Sequence, residues 1–248
     1  MLERLRTARG VARSLRIYYG DREQRAAMDR LYGRFIAAGD LVFDIGAHVG
    51  DRIAAFRRLG ARVVAAEPQP ALATTLRLLY GRDGEVTVEQ TAVGARAGGI
   101  ALRLNLDNPT VSTASAAFVS AARDAPGWKD QQWHKTIEVP MTTLDALIAR
   151  HGMPRFVKID VEGFEAEVLA GLTQPVAALS FEFTTIQRDV ALACVARCLA
   201  LGYRAFDASL GESHALVHAP SVSGGEIVRW LTELPHAANS GDIYALLA

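Results

Sequence analysis

The sequence predicts an α/β fold built on a doubly wound, mostly parallel sheet. Three observations lead to this prediction: short β-branched apolar runs alternate with amphipathic helical segments, a turn with two glycines follows the first apolar run, and 50% of the 248 residues are hydrophobic. A chain of this length and composition can bury one large core. We therefore expect a single sheet with helices on both of its faces.

The elements of the N-terminal half follow from apolar spacing and capping signals. Asp21 and Gln24 have the spacing of a capping box ahead of apolar positions at helical intervals, which predicts a helix over about residues 22–38. Two short apolar runs, LVFDI and ARVVAAE, are separated by GDRIAAFRRLG, which predicts strand, helix and strand. The alternation continues with a helix in PALATTLRLLYG and a strand in EVTVEQTAVG.

The C-terminal half repeats this pattern with two departures. RFVKIDV and AALSFEF are typical of strands, whereas FEAEVLAGL and residues 190–201 are typical of helices. GIALRLNL and TIEVPMTTL predict additional strands around a long insertion, about residues 105–135. YRAFDA and DIYALLA predict two last strands separated by a long loop, and the final strand is well placed to run antiparallel.

The chain divides into an N-terminal helical segment, residues 1–39, and the sheet domain, residues 40–248. The first twenty residues contain five arginines and one glutamate. They form either a solvated leader helix or a basic amphipathic helix that rests on a membrane surface or a partner. No run approaches the roughly 20 apolar residues of a membrane span, and no secretion signal is recognisable. We therefore expect a cytoplasmic protein without a transmembrane segment.

The charges and the cysteines exclude other classes of protein. There are 27 basic and 27 acidic side chains, so no net positive field attracts nucleic acid, and we expect no nucleic-acid partner. Cys194 and Cys198 lie one helical turn apart in an apolar run. Packing on a buried helix face explains them better than a disulfide or a zinc site, because a zinc site needs four ligands.

The turn after the first predicted strand indicates a ligand site, since ligands of doubly wound sheets bind outside the carboxyl ends of the strands. Asp44 lies at the strand tip, Gly46 lets the backbone approach a ligand, and Gly50 lets the next helix pack tightly. His48 lies between the two glycines, and their spacing is not the G-x-G-x-x-G of a dinucleotide site. This disfavours an NAD-dependent dehydrogenase, the nearest enzymatic alternative.

An acid at the end of the second predicted strand extends this site. Glu67, followed by Pro68, comes 23 residues after Asp44, where a doubly wound fold holds the two hydroxyls of a ribose. The ligand should therefore carry a ribose and a cationic group but need no phosphate, and S-adenosylmethionine meets these conditions. The alternative is that Asp44 and Glu67 simply cap adjacent helices.

The segment FVKIDVEGFE contains a third group of charged residues. Lys158, Asp160 and Glu162 fall on alternate positions of a predicted strand and therefore share one side of it. Three charged groups at such positions are costly to bury unless they face a cleft or one another. The pattern predicts a polar site.

Four segments, FDIGAHVGD, AAEPQP, VKIDVEGFE and SGDIYALLA, together resemble the FkbM family of S-adenosylmethionine-dependent methyltransferases over roughly residues 40–248. The resemblance implies the class I (Rossmann-like) methyltransferase fold, with a seven-stranded sheet whose last strand is antiparallel. It also implies O-methylation of sugars or secondary metabolites. One departure is visible, because the family usually has asparagine at the position of His48.

The resemblance also implies contacts with the cofactor. Asp44, Gly46 and Gly50 would line its methionine end, and Glu67 would hold the ribose. Ala92 and Val93 would border the adenine. The full set of candidate cofactor-binding residues is Asp44, Gly46, Ala47, His48, Gly50, Glu67, Pro68, Ala92, Val93 and Asp160.

Methyl transfer to an alcohol requires alignment of the acceptor and a group that takes its proton. Asp160 is the first candidate for either task, and Lys158 either activates the acceptor or neutralises the acids. The other candidates are Glu162, Glu182, His48 and His134. A divalent metal held by Asp160, Glu162 and Glu182 would have the hard oxygen ligands that such ions prefer.

Two parts of the insertion each have two possible roles. Trp128 and Trp133 either stack on a sugar or, as we favour, pack the insertion against the domain. DNPTVSTAS, residues 107–115, is either a lid element or a helix cap. We expect a small-molecule or glycan acceptor, and the alternative from another class is a non-catalytic module that keeps the cofactor pocket.

Overall fold

The computed structural model describes residues 2–247. Met1 and Ala248, the outer limits of the two predicted segments, lie outside the described residues. The strands are β1 Leu41–Ile45, β2 Arg62–Ala66, β3 Val86–Glu89, β4 Ala92–Val93, β5 Gly98–Leu104, β6 Lys135–Thr142, β7 Phe156–Ile159, β8 Ala178–Thr184, β9 Ala205–Leu210 and β10 Ser240–Leu246. The helices are α1 Leu2–Tyr19, α2 Arg22–Tyr32, α3 Asp51–Arg58, α4 Pro70–Tyr80, α5 Ala116–Arg123, α6 Leu144–His151, α7 Glu165–Ala170, α8 Arg188–Leu201 and α9 Gly224–Glu233, with 3-10 turns at Pro109–Val111 and His236–Ala238.

Seven strands form the main sheet, in the order β3-β2-β1-β7-β8-β10-β9. Strand β10 pairs antiparallel with β8 and β9, whereas all other neighbours in this sheet are parallel. The chain builds outward in one direction from β1 and in the other from β7, so the strand order reverses between them. Such a reversal leaves a crevice at the carboxyl ends of the strands. The topology confirms the predicted doubly wound fold with a reversed last strand.

Both faces of the main sheet are covered, and β1 is therefore buried along its whole length. Phe43 and Ile45 face one core cluster and Val42 faces the other, as the two-residue period of a strand requires. Cys194 and Cys198 of α8 are fully buried, unpaired members of the first cluster. Their predicted role in packing is confirmed.

A second, three-stranded sheet has the order β4-β6-β5. Its β5 and β6 are the two additional strands that the sequence predicts. The prediction of one strand in EVTVEQTAVG is wrong, because β3 belongs to the main sheet and β4 to the small one. Between them, Thr91 Oγ1 donates to the carbonyl oxygen of Pro140 at 3.0 Å, which ties the chain to β6 and redirects it.

Helix α2 ends at Tyr32, whereas the sequence predicts an end near residue 38. The chain turns at Gly33, and the backbone N–H groups of Arg34 and Phe35 donate to carbonyls three residues earlier, in 3-10 fashion. Phe35 nevertheless stays buried in the core. The apolar period continues beyond the helix because the following turn also packs inward.

Helices α6 and α9 are absent from the sequence-based predictions. Part of TIEVPMTTL is helical rather than extended, because Thr143 Oγ1 accepts a hydrogen bond from the backbone N–H of Ala146 at 3.1 Å and so caps α6. Helix α9 lies in the predicted long loop. Ser223 and Glu226 form a capping box at its start, and this S-x-x-E spacing is the signal that could have located it.

Helix α1 packs against the body of the protein, so the interpretation as a fully solvated leader is wrong. Gly10 abuts the insertion, where a Cβ would come within 2.7 Å of the carbonyl oxygen of Leu106. Arg9, Arg13 and Arg16 remain exposed, and their contact with a membrane or partner stays a prediction. Within residues 2–247, no helix is both long and apolar enough to cross a bilayer.

Candidate functional site

A cleft with an empty volume of about 890 Å³ opens at the carboxyl ends of β1, β2 and β7. Its lining includes these predicted cofactor residues: Asp44, Gly46, Ala47, His48, Glu67, Pro68, Ala92, Val93 and Asp160. Lys158 and Glu162 line it as well. Glu182 lines a smaller cavity, and Gly50 lies outside the cleft lining of the described chain. The strand order therefore gathers nearly all predicted site residues at one place.

The two glycines of the first turn have different tasks. Gly46 has a φ of 87°, and a Cβ there would lie 1.8 Å from the carbonyl oxygen of Asp160, so only glycine fits where the turns after β1 and β7 meet. Gly50, with a φ of 84°, precedes α3. A Cβ on Gly50 would lie 2.7 Å from side-chain atoms of Leu76 and Tyr80. Gly50 thus serves helix packing, and its predicted contact with the cofactor stays a prediction.

Asp44 is almost completely buried, with 1% of its surface exposed. Its Oδ2 atom has no hydrogen-bond partner among the described residues. Burial, reinforced by the negative charge of Asp51, raises the pKa of Asp44 to about 7. A cationic group beside Oδ2 would satisfy this oxygen and favour the ionised form.

Glu67 is held by the backbone of two turns. Its Oε2 accepts from the N–H of His48 at 2.9 Å, and its Oε1 accepts from the N–H of Gln69 at 2.8 Å. Burial raises the pKa of Glu67 to about 8, although these two hydrogen bonds oppose the shift. Each carboxylate oxygen keeps a lone pair, which suits it to accept from a pair of ligand hydroxyls.

The turn after β7 places Glu162, because the strand ends at Ile159. The prediction that strand alternation positions Glu162 is therefore wrong. Glu162 instead adopts a left-handed conformation, with φ 56°. Thr113 Oγ1 donates to its carbonyl oxygen at 2.7 Å, and Glu165 Oε1 accepts from the N–H of Val161 at 3.0 Å.

This turn creates an acidic cluster, which we define as Asp160, Glu162 and Glu182. One carboxylate oxygen of each residue lies within 4.8 Å of the others. Burial, together with the charge of Asp160, raises the pKa of Glu162 and of Glu182 well above the usual range for glutamate. The structure brings together the three acids that the sequence analysis grouped, with Glu182 contributed by β8.

Lys158 is buried beside this cluster. Its Nζ lies 3.1 Å from Asp160 Oδ2 and 2.8 Å from Asp242 Oδ1. Although burial acts to lower it, these two carboxylates hold the pKa of Lys158 well above its usual value. These contacts and this pKa favour the charged form of Lys158, and whether it also activates the acceptor stays a prediction.

His48 lies in the cleft. Burial lowers the pKa of His48, and its ring packs edge-on against Tyr18 at 5.3 Å between centroids. Its Nε2 has one long contact, 3.4 Å to Thr110 Oγ1. His134, in contrast, contacts Arg6 at 3.0 Å outside the cleft, so the structure separates it from the other candidates.

The insertion contributes to the cleft through part of DNPTVSTAS. Thr110 and Ser112 line the cleft, and Ser115 Oγ caps α5 by accepting from the N–H of Phe118 at 3.0 Å. The segment thus forms both cleft wall and helix cap. Trp128 and Trp133 pack edge-on against Phe118, with ring centroids 5.2 and 6.3 Å away, which confirms that they pack the insertion.

Further cleft residues escape prediction from the sequence, among them Tyr18, Arg52 and Glu212. Arg52 Nη2 donates to Glu212 Oε2 at 2.8 Å, and Arg52 also pairs with Asp51. Tyr18 belongs to α1 and Glu212 to the loop after β9. No local sequence pattern marks either of them, because only the fold brings these segments together.

Comparisons with known proteins extend this description. The family model described as "Methyltransferase FkbM domain" matches residues 44–233, a range that contains the acidic cluster. No curated protein matches the chain. Similar solved structures include Aeropyrum pernix fibrillarin with natively bound S-adenosyl-L-methionine (TM-score 0.46, 11% identity, covering 89% of this chain and 74% of that chain). Another is a SAM-dependent methyltransferase from Geobacter sulfurreducens in complex with S-adenosyl-L-homocysteine (TM-score 0.43, 10% identity, covering 91% and 90%).

Proposed function

The chain belongs to the FkbM methyltransferase family, and from this premise we propose that it transfers a methyl group from S-adenosylmethionine to a hydroxyl oxygen of a small-molecule or glycan acceptor. Dependence on S-adenosylmethionine comes with the family, and the protein has the class I methyltransferase fold. The hydroxyl acceptor is the proposed part. It is supported by the acidic residues Asp160 and Glu162 that line the cleft and by the balanced charge of the chain, which provides no general attraction for nucleic acid.

The residues of the cleft fit this cofactor. The observation that carries the assignment is the unpartnered, buried Oδ2 of Asp44, which suits the ammonium group at the methionine end. The Glu67 carboxylate, fixed by two backbone N–H groups, suits the ribose hydroxyls. Ala92 and Val93 are buried and apolar, which suits the adenine.

When bound, the cofactor would supply a methyl group attached to a positively charged sulfur. This sulfur is a good leaving group because it departs as a neutral thioether. The chain itself has to align the acceptor and manage one proton. We assign the alignment to Asp160, whose Oδ2 is held by Lys158 and whose other oxygen is free to accept from the acceptor hydroxyl. The acceptor oxygen would form its bond to the methyl group as the S–CH₃ bond breaks, and His48 Nε2 would take the hydroxyl proton.

The assignment to His48 depends on its protonation state. Its ring lines the cleft, burial lowers its pKa, and among the described residues its Nε2 has only the long contact to Thr110, so this nitrogen can accept a proton. The family usually has asparagine at this position. Proton acceptance by His48 is therefore proposed for this chain and not for its relatives.

Calorimetric titration with S-adenosylmethionine tests the cofactor site. We expect saturable binding, weakened at least about tenfold in Glu67→Ala, or ~1.4 kcal/mol, because the ribose hydroxyls lose both acceptor oxygens. NAD serves as the control ligand and should not bind. Absence of S-adenosylmethionine binding by the intact, folded protein, or binding of NAD in its place, would contradict the assignment.

The affinity for S-adenosylmethionine should rise with pH. Asp44 has a pKa of about 7 in the free protein and must lose its proton to hold the ammonium group, so binding is opposed below that pH. We expect at least about tenfold weaker binding at pH 6 than at pH 8 from Asp44, and Glu67, with a pKa of about 8, adds to this change. The affinity should depend less steeply on pH in Asp44→Asn, because only the Glu67 carboxyl then titrates. Affinity that falls as the pH rises would disprove this role of Asp44.

A further inference from the structure

We propose that the acidic cluster, Asp160, Glu162 and Glu182, binds a divalent cation of the magnesium and manganese class, and that this cation holds the acceptor hydroxyl. The role in catalysis rests on the proposed function, whereas binding of the cation can be measured without it.

The geometry of the cluster suits a small cation. The three carboxylate oxygens lie within 4.8 Å of one another. Oxygens that share one Mg²⁺ ion at about 2.1 Å can be at most about 4.2 Å apart. Side-chain adjustments of a few tenths of an ångström would therefore bring all three oxygens into a common coordination sphere.

Two of these side chains present oxygens that nothing else satisfies. Glu162 is 6% exposed, and neither its Oε2 nor the Oε2 of Glu182 has a hydrogen-bond partner among the described residues. Gln187, which lines the same small cavity as Glu182, has an equally unpartnered Oε1. Buried polar atoms without a partner are costly. A cation between the two carboxylates would satisfy both of them.

The positive charge beside the acidic cluster is too small to balance its carboxyl groups. Lys158 is already engaged by Asp160 and Asp242, and no hydrogen bond from it to Glu162 or Glu182 is present among the described residues. The cluster thus carries more acidic groups than its single ammonium can neutralise. Oxygen ligands without histidine or cysteine select hard cations and not zinc.

The open side of the cluster faces the methyl-transfer site. Asp160 and Glu162 line the large cleft, and three carboxylates leave positions of an octahedral shell free for water and for the acceptor. An alcohol bound to a divalent cation loses its proton more readily. The cation would thus hold the acceptor oxygen while His48 takes its proton.

Binding of Mn²⁺ tests this proposal, with protein cleared of metal by a chelator and free Mn²⁺ measured by electron paramagnetic resonance. We expect one Mn²⁺ per chain, displaced by Mg²⁺. Glu182→Gln and Glu162→Gln should each weaken it at least about tenfold. Both substitutions keep the size of the side chain. Folding of each variant is checked by its thermal transition, which Mn²⁺ should raise in the original protein but not in a variant.

Glu67→Gln is the matched control, since it changes a buried carboxyl of the same cleft outside the cluster. It should keep Mn²⁺ binding and lose affinity for S-adenosylmethionine. Glu182→Gln should lose Mn²⁺ binding and keep its affinity for S-adenosylmethionine. The two titrations therefore report separately on the cation and on the methyl donor. The proposal is overturned if Mn²⁺ does not saturate at one per chain, or if it binds folded Glu182→Gln as tightly as the original protein.

Discussion

Replacing His48 with asparagine is expected to lower kcat about 10²–10⁴-fold with little change in the affinity for S-adenosylmethionine. Asparagine tolerates the left-handed φ of 48° at this position, and its backbone N–H can still donate to Glu67. The substitution therefore removes the proton-accepting nitrogen while the cofactor-binding turn is kept. Single-turnover measurement of methyl transfer at saturating cofactor checks the result.

The pH profile of kcat distinguishes proton acceptance from a structural effect. Burial lowers the pKa of His48 below its ordinary value of 6.5. Because the base must be unprotonated to accept a proton, kcat should decline only below about pH 6.5. His48→Asn should lose this decline along with most of the rate. His134→Asn, outside the cleft, is the matched control and should behave like the original protein. A fully active His48→Asn variant would show that another group, Asp160 first among them, takes the proton.

Replacing Lys158 with methionine is expected to reduce the free energy of unfolding by about 3–5 kcal/mol, the usual effect of removing one partner from a buried ion pair. Lys158 is 1% exposed and is the cation that both Asp160 and Asp242 contact. Methionine fills a similar volume but leaves these two carboxylates without a counter-charge. Urea unfolding of the two proteins at the same pH measures the difference.

Two further variants test whether the loss of unfolding free energy comes from the buried charge. Arg58→Met breaks a partly exposed pair with Asp29, which solvent screens, so a loss of only about 0–1 kcal/mol is expected. Asp242→Asn added to Lys158→Met should recover part of the stability, because one uncompensated carboxylate disappears. A Lys158→Met protein as stable as Arg58→Met would contradict the ion-pair account.

Local signals in the sequence were sufficient for the parallel core of the fold and for the position of Asp44 and Glu67, the acids proposed to hold the cofactor. Short, nearly continuous apolar runs mark β1 and β2, and a strand followed by a glycine turn fixes which end of β1 faces a ligand. Asp44 and Glu67 each lie at the tip of a strand. Neighbouring parallel strands end at the same edge of a sheet, so these two acids had to meet wherever the sheet formed.

Only the tertiary structure decided the acceptor side of the cleft. Glu182 joins Glu162 because β8 lies beside β7 and because the turn after β7 adopts a left-handed conformation that no period reveals. Tyr18 and Glu212 reach the cleft from segments far apart in the chain. Local periodicity and capping depend on residues a few positions apart and can be read from the sequence. Contacts between distant segments depend on how whole elements pack, and that packing is a property of the complete fold.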